Sequence, residues 1–148
     1  MRHRLAPAVV SAAALVTLPF APAGAHEPVH SGVPITVHMT GAEEVPLPGD
    51  PDGHGTATLR LNPGLRQVCW TLEVTGIAPA TAAHIHLAPA GSPGGVVVPL
   101  SAPTSGMSSG CTEVQRELVL DIIRDPGAYY VNVHNADYPG GAVRGQLG

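Results

Sequence analysis

Thr81-Ala-Ala-His-Ile-His-Leu-Ala88 decides how this chain is read. Side chains of a β-strand alternate between faces with period two, so Ala83, Ile85 and Leu87 share one face and His84 and His86 the other. Tyr129-Tyr-Val-Asn-Val-His-Asn135 repeats the arrangement, with Val131 and Val133 opposite Tyr130, Asn132 and His134. Side by side, the two strands bring three imidazoles onto one polar face.

The segments around them carry the same period. Ile35 to Met39 alternates apolar with polar, and so does Gly55 to Leu61, with Ala57, Leu59 and Leu61 inward. The Asn62-Pro-Gly-Leu65 turn leads into Gln67 to Thr75, whose inner face is Val68, Trp70, Leu72 and Val74; Cys69, Thr71 and Glu73 take the other. Val96 to Leu100 is a short strand that Pro99 pushes to an edge. Ala142 to Leu147 closes the chain after the Tyr138-Pro-Gly-Gly141 turn. Gly41 to Gly53, Ala88 to Gly95 and Ser101 to Gly110 read as loops, the last mobile and pinned at its end by Cys111. Val114, Leu118, Val119, Ile122 and Ile123 recur at helical spacing, so the single helix is expected within Glu113 to Arg124, stopped by Asp125-Pro126-Gly127. Seven or so short strands and one helix predict an all-β domain, an antiparallel Greek-key sandwich or flattened barrel. The histidine face then lies on the outer side of the sheet, where loops can cover it.

Residues 1–25 have the features of a secretory signal: Arg2 and Arg4, an apolar stretch from Ala8 to Phe20, and the small residues Ala23-Gly24-Ala25. Cleavage there leaves 123 of the 148 residues, with an extended lead-in over 26–33 and one domain over 34–148. The apolar run is short of the roughly 20 residues of a membrane span. Export to a bacterial exterior or periplasm is expected. Cys69 and Cys111, the two cysteines of the chain, would form a disulfide in that oxidising setting. The whole chain carries −4; without the two leader arginines, five Arg face eleven carboxylates, a net −6 with no Lys. Such a surface does not suit nucleic acid or an anionic membrane, which reward clustered Lys and Arg. The sequence identifies no protein partner.

Gly41-Ala-Glu-Glu-Val-Pro46, Gly55-Thr-Ala-Thr-Leu59, Cys69-Trp70, Ala83-His-Ile-His86, Tyr130-Val-Asn-Val-His134 and Pro139-Gly-Gly-Ala-Val-Arg-Gly-Gln-Leu147 together resemble the CHRD domain, first named in chordin. The resemblance implies a secreted, β-rich domain. In chordin that domain belongs to an extracellular protein that binds growth factors, and no residue here carries that partner over. The order of Ala83-His-Ile-His86, Val133-His134 and Gly140-Gly-Ala-Val-Arg144 is also similar to copper-zinc superoxide dismutases. That similarity implies His84, His86 and His134 as copper ligands and Arg144 as an anion guide. The dismutases' bridging histidine and zinc cluster have no counterpart in residues 88–109, which contain no His, Asp or Glu.

Three imidazoles suit copper by ligand type, with zinc the lesser fit. Against this stands a scaffold reading, in which the same rings hydrogen-bond loops and backbone and lock the sheet. His26 is an additional candidate ligand, because cleavage after Ala25 would put an α-amine beside its imidazole; a frayed terminus is the alternative. His38 and His54 read as solvated surface residues. Arg144 has a structural reading too, as a carbonyl clamp or an ion pair with Glu44 or Asp137, and those carboxylates are candidate imidazole orienters. No nucleophile elbow or phosphate-cradling loop is present. The expected role is a binding module for a metal ion, with a copper oxidoreductase and a metal-free structural or adhesive domain as rivals.

Overall fold

The computed structural model describes residues 31–148. Eight strands form one antiparallel, nearly closed barrel-like sheet: β1 (Val33–Thr40), β2 (His54–Asn62), β3 (Gln67–Thr75), β4 (Ala80–Leu87), β5 (Gly95–Leu100), β6 (Met107–Glu113), β7 (Tyr129–Asn135) and β8 (Val143–Gln146). The hydrogen-bonded order is β5-β4-β7-β8-β1-β2-β3-β6. β3 and β4 are not hydrogen-bonded neighbours although only residues 76–79 join them, and β8 returns beside β1 of the β1-β2-β3 meander, the long return that defines a Greek key. The expected signal over 1–25, the lead-in as far as His30 and the candidate His26 lie outside the described residues.

Alternation builds the interior. Leu59, Leu61, Val68, Leu72, Ile85, Val98, Val131 and Val133 are wholly buried, each contributing about 1.5–3 kcal/mol by leaving water. The helix α1 is shorter than its periodic pattern, Arg116–Arg124, and packs against β2 and β3 with Val119 and Ile122 buried. Leu87 departs from the expected inward face: it ends β4 and is exposed, since the barrel wall no longer encloses it there.

The larger correction concerns Ser101 to Gly110, expected as a mobile loop. Its second half belongs to β6, which continues to Glu113 and pairs with β3 along its whole length, Cys69 opposite Cys111 and Trp70 opposite Gly110. The inward residues of β6 are Ser108, Gly110 and Thr112, so no apolar alternation marks it. The cause is Trp70: a Cβ on Gly110 would stand 2.8 Å from the indole. The indole fills the space that an apolar β6 residue would occupy. The Cys69–Cys111 disulfide and the Arg66–Glu113 ion pair tie β6 to the sheet from its outer face.

The disulfide spans 42 residues of sequence, for which loop-closure entropy gives about 4 kcal/mol as an upper figure. Reducing it is expected to lower stability by about 2–4 kcal/mol and to speed amide exchange in Met107–Glu113 before Tyr129–Asn135. Simultaneous loss of protection in both strands would show that the bridge holds the whole barrel rather than its edge.

Candidate metal centre

Register decides which side chains meet. On β4, β7 and β8, His84 pairs with Asn132 and Asn132 with Arg144; one row along, His86 pairs with Tyr130 and Tyr130 with Gln146. Ala82 pairs with His134. Directly opposed residues of an antiparallel pair share a face. The outer face therefore carries His84, His86, Tyr130, Asn132, His134, Arg144 and Gln146 as a continuous polar layer. A register shift between Ile85 and His86 on the β5 side bends the strand at the site, as β-bulges do.

Two loops cover this layer. The Gly41–Gly53 loop is anchored when Asp50 donates its N–H to Ala142 O at 2.8 Å, and it lays Glu44 against Gly141. Gly141 has φ +146, and a Cβ there would collide with the Glu44 carboxylate, so only glycine fits. The Ala88–Gly95 loop covers the other flank. His86 is in consequence 8% exposed and Arg144 1%. His84 and His134 stay partly open.

His84, His86 and His134 each direct one ring nitrogen into a cluster in which those atoms lie within 4.8 Å of one another. His86 Nδ1 donates to Gly94 O at 2.9 Å and His134 Nδ1 donates to Pro139 O at 3.1 Å. A carbonyl can only accept, so Nδ1 carries the proton in both rings and Nε2 is left with its lone pair. His84 Nδ1 stands 3.1 Å from His134 Nε2. Two imidazole nitrogens on one ion, each at about 2.0–2.1 Å, are separated by roughly 3 Å. The shared proton of the His84–His134 pair thus occupies ground an ion could take.

The fit of these residues to a metal rests on His86. Its Nε2 is buried with no hydrogen-bond partner, and such groups ordinarily find one. A scaffold histidine would have its second nitrogen satisfied. The pKa values of His84 and His134 are lowered, first by burial and then by repulsion between the rings. A His134 hydrogen bond to Pro139 opposes this in part. Lowered values keep both rings neutral and able to ligate at neutral pH.

Glu44 and Asp137 do not take the orienting role expected of them; the carbonyls of Gly94 and Pro139 do. Glu44 is 5% exposed, and its pKa is raised by burial, against the opposing effects of Asn132, the Val45 N–H and Arg144. The structural reading of Arg144 has a direct counterpart. It donates to Ser92 O at 3.0 Å, Pro89 O at 3.1 Å and Gln146 Oε1 at 3.1 Å. Its guanidinium lies 3.5 Å from the centre of the Tyr130 ring, and His86 stacks on the same ring at 4.7 Å. Because β7 runs between β4 and β8, guanidinium and imidazole meet opposite faces of the phenol. His38 and His54 lie away from the cluster, exposed on β1 and β2; His54 is engaged by Asp52 O and Thr75 Oγ1.

Sequence reasoning missed Tyr130 and Gln146 as parts of the site. Alternation places both on the histidine face, and that was their only signal. The two N–H groups of Gln146 Nε2 are shared among the carbonyls of Ala88, Gly127 and Tyr129 at 2.8–2.9 Å, contacts that link parts of the chain far apart in sequence.

Fold and site together define a β-barrel domain with a three-histidine group that could hold a metal ion. Residues 35–147 match the CHRD domain, and the chain belongs to the CHRD-domain family. No curated protein and no solved structure matches the chain.

The lowered pKa values set a sign for the pH dependence. Below the ordinary imidazole value of 6.5 the unfolded chain binds protons at His84 and His134 that the folded protein refuses. Their contribution to stability is complete above about pH 6.5 and is lost as pH falls below it. Glu44 has the opposite sign, its ionisation weakening the fold as pH rises through its raised pKa. Metal-free wild type should therefore lose more stability than a His84→Gln, His134→Gln variant between pH 7.5 and 5.5, measured by urea midpoints. Equal losses would contradict the burial of the two rings.

Proposed function

We propose that this CHRD domain is a secreted binding module whose ligand is one copper ion, held by His84, His86 and His134. The observation that carries the reading is the buried, unpartnered Nε2 of His86 beside the close His84–His134 pair. An ion bonded to all three nitrogens would satisfy the orphan and take the place of the His84–His134 hydrogen bond, the His84 proton then residing on Nε2. Among divalent first-row metals a nitrogen site of given geometry binds Cu(II) most tightly, and zinc is the second candidate. The all-neutral donor set also suits Cu(I). Extracellular residence is supported by the disulfide, which suits an oxidising compartment, and by the family. Among the described residues no helix is long and apolar enough to cross a membrane.

A second reading, a copper oxidoreductase, is favoured by the ligand count. The cluster supplies three protein ligands, and three ligands with an open position is the pattern of catalytic sites. Arg144 is a poor anion guide in that reading, because its donors point at carbonyls and it is almost wholly covered.

Mature protein beginning at His26, stripped with chelator, is expected to bind one equivalent of Cu(II) with a nitrogen-ligated EPR spectrum. A His84→Ala, His86→Ala, His134→Ala variant should remain folded and lose that signal. Tight binding that survives the triple change would assign the metal to the chain terminus and leave the three rings as scaffold. Superoxide decay measured on the loaded protein separates the module from the oxidoreductase.

A further inference from the structure

We infer that Arg144 is a positioning residue for the histidine cluster, acting on His86 through the Ala88–Gly95 loop; the inference rests on the metal-binding reading for its function and on geometry for its substance.

The loop runs over the polar layer and is bound to it by its backbone. Ala88 O accepts from Gln146 Nε2 at 2.9 Å, and Pro89 O and Ser92 O accept from the Arg144 guanidinium. Gly94 then makes both of its backbone bonds to the site. Its N–H donates to Tyr130 Oη at 3.2 Å and its carbonyl takes the His86 Nδ1 proton at 2.9 Å. A Cβ at Gly94 would collide with the Leu87 carbonyl, so the chain reaches His86 there only as glycine. Arg144 is thus the anchor two residues before the atom that decides which His86 nitrogen bears the proton. If Gly94 O moved away, nothing described here would keep the proton on Nδ1, and Nε2 would no longer be reserved as the ligand atom.

The second contact runs through the ring. Tyr130 is held between the Arg144 guanidinium and the His86 imidazole, with an interplanar angle of 6° on the imidazole side. The plane of His86 is therefore set by a phenol whose other face is occupied by Arg144. A planar fork can lie flat on a ring while its edge spans two carbonyls and an amide oxygen; a lysine ammonium cannot do all of these at once. The choice of arginine here follows from the geometry of the clamp. His134 provides an internal reference, since its own proton is held by Pro139 O, outside this loop.

The test compares wild type with Arg144→Lys, which keeps the charge and loses the fork, and with Tyr130→Phe, which keeps the ring and loses the Gly94 anchor. Imidazole nitrogen shifts of the metal-free proteins report the tautomers, and competition with a chelator reports Cu(II) affinity. In wild type, His86 and His134 should both be in the Nδ1–H form. In Arg144→Lys, His86 should become a mixture while His134 is unchanged, and affinity should fall roughly 10–100-fold, the usual effect of losing an outer-shell partner. A variant of lower melting temperature with the wild-type His86 tautomer and affinity would overturn the inference, leaving Arg144 a structural residue alone. Should Arg144→Lys fail to fold, Arg144→Gln, which removes the buried charge together with the fork, decides by the same two readouts. Absence of Cu(II) binding in wild type would instead reject the metal reading, and the tautomer comparison would still decide the role of Arg144.

Discussion

The burial of one guanidinium constrains much of this domain. Arg144 belongs to the short strand β8, which joins β7 to β1, and its backbone partner across that junction is Thr40. At the join between the two halves of the sheet, a positive charge is almost removed from water. Such a charge is tolerated only with dense compensation. The compensation comes mainly from carbonyls of one covering loop; on the other, burial raises the pKa values of Glu43 and Glu44 and Arg144 opposes that rise. Tyr130 supplies the apolar contact, where a cation over a ring face gains about 2 kcal/mol when desolvated. Loops, ring and junction thus depend on one side chain.

The barrel wall serves two interiors with the same strands. Ile85, Val131 and Val133 face the hydrocarbon core; His84, His86, Tyr130 and Asn132 face the polar layer under the loops. The two differ in how they tolerate error. An apolar interior accepts changes of shape at modest cost. The polar layer has little such slack, because each unmet buried group costs about 1–3 kcal/mol. Glu44 Oε1, Asn132 Oδ1, Asn135 Nδ2 and His86 Nε2 are unmet protein atoms in or around that layer.

The strands that face hydrocarbon on one side were legible in the sequence because alternation records burial. That is why β1 to β4 and β7 could be drawn, and why three histidines could be placed together before any coordinates. β6 left no such record, since the Trp70 indole takes the space inside Gly110 and the other inward residues, Ser108 and Thr112, are polar. The loops left none either. Their hold on the site runs through backbone carbonyls at Pro89, Ser92, Gly94 and Pro139, and a carbonyl looks alike in every residue. Glu44 and Asp137 looked better suited to orient imidazoles because side-chain chemistry is visible in a sequence and main-chain direction is not.

The separation of the site's parts along the chain has a consequence in time. His84 and His86 are made together, but His134 follows 50 residues after His84, and the Arg144 clamp later still. During synthesis there is an interval in which this site consists only of the His84 and His86 pair, with β7 and β8 still to come. The three-histidine cluster exists only once β7 has paired with β4. An ion held by the three rings would thereby be selected by the geometry of the paired strands and not by what is at hand during synthesis.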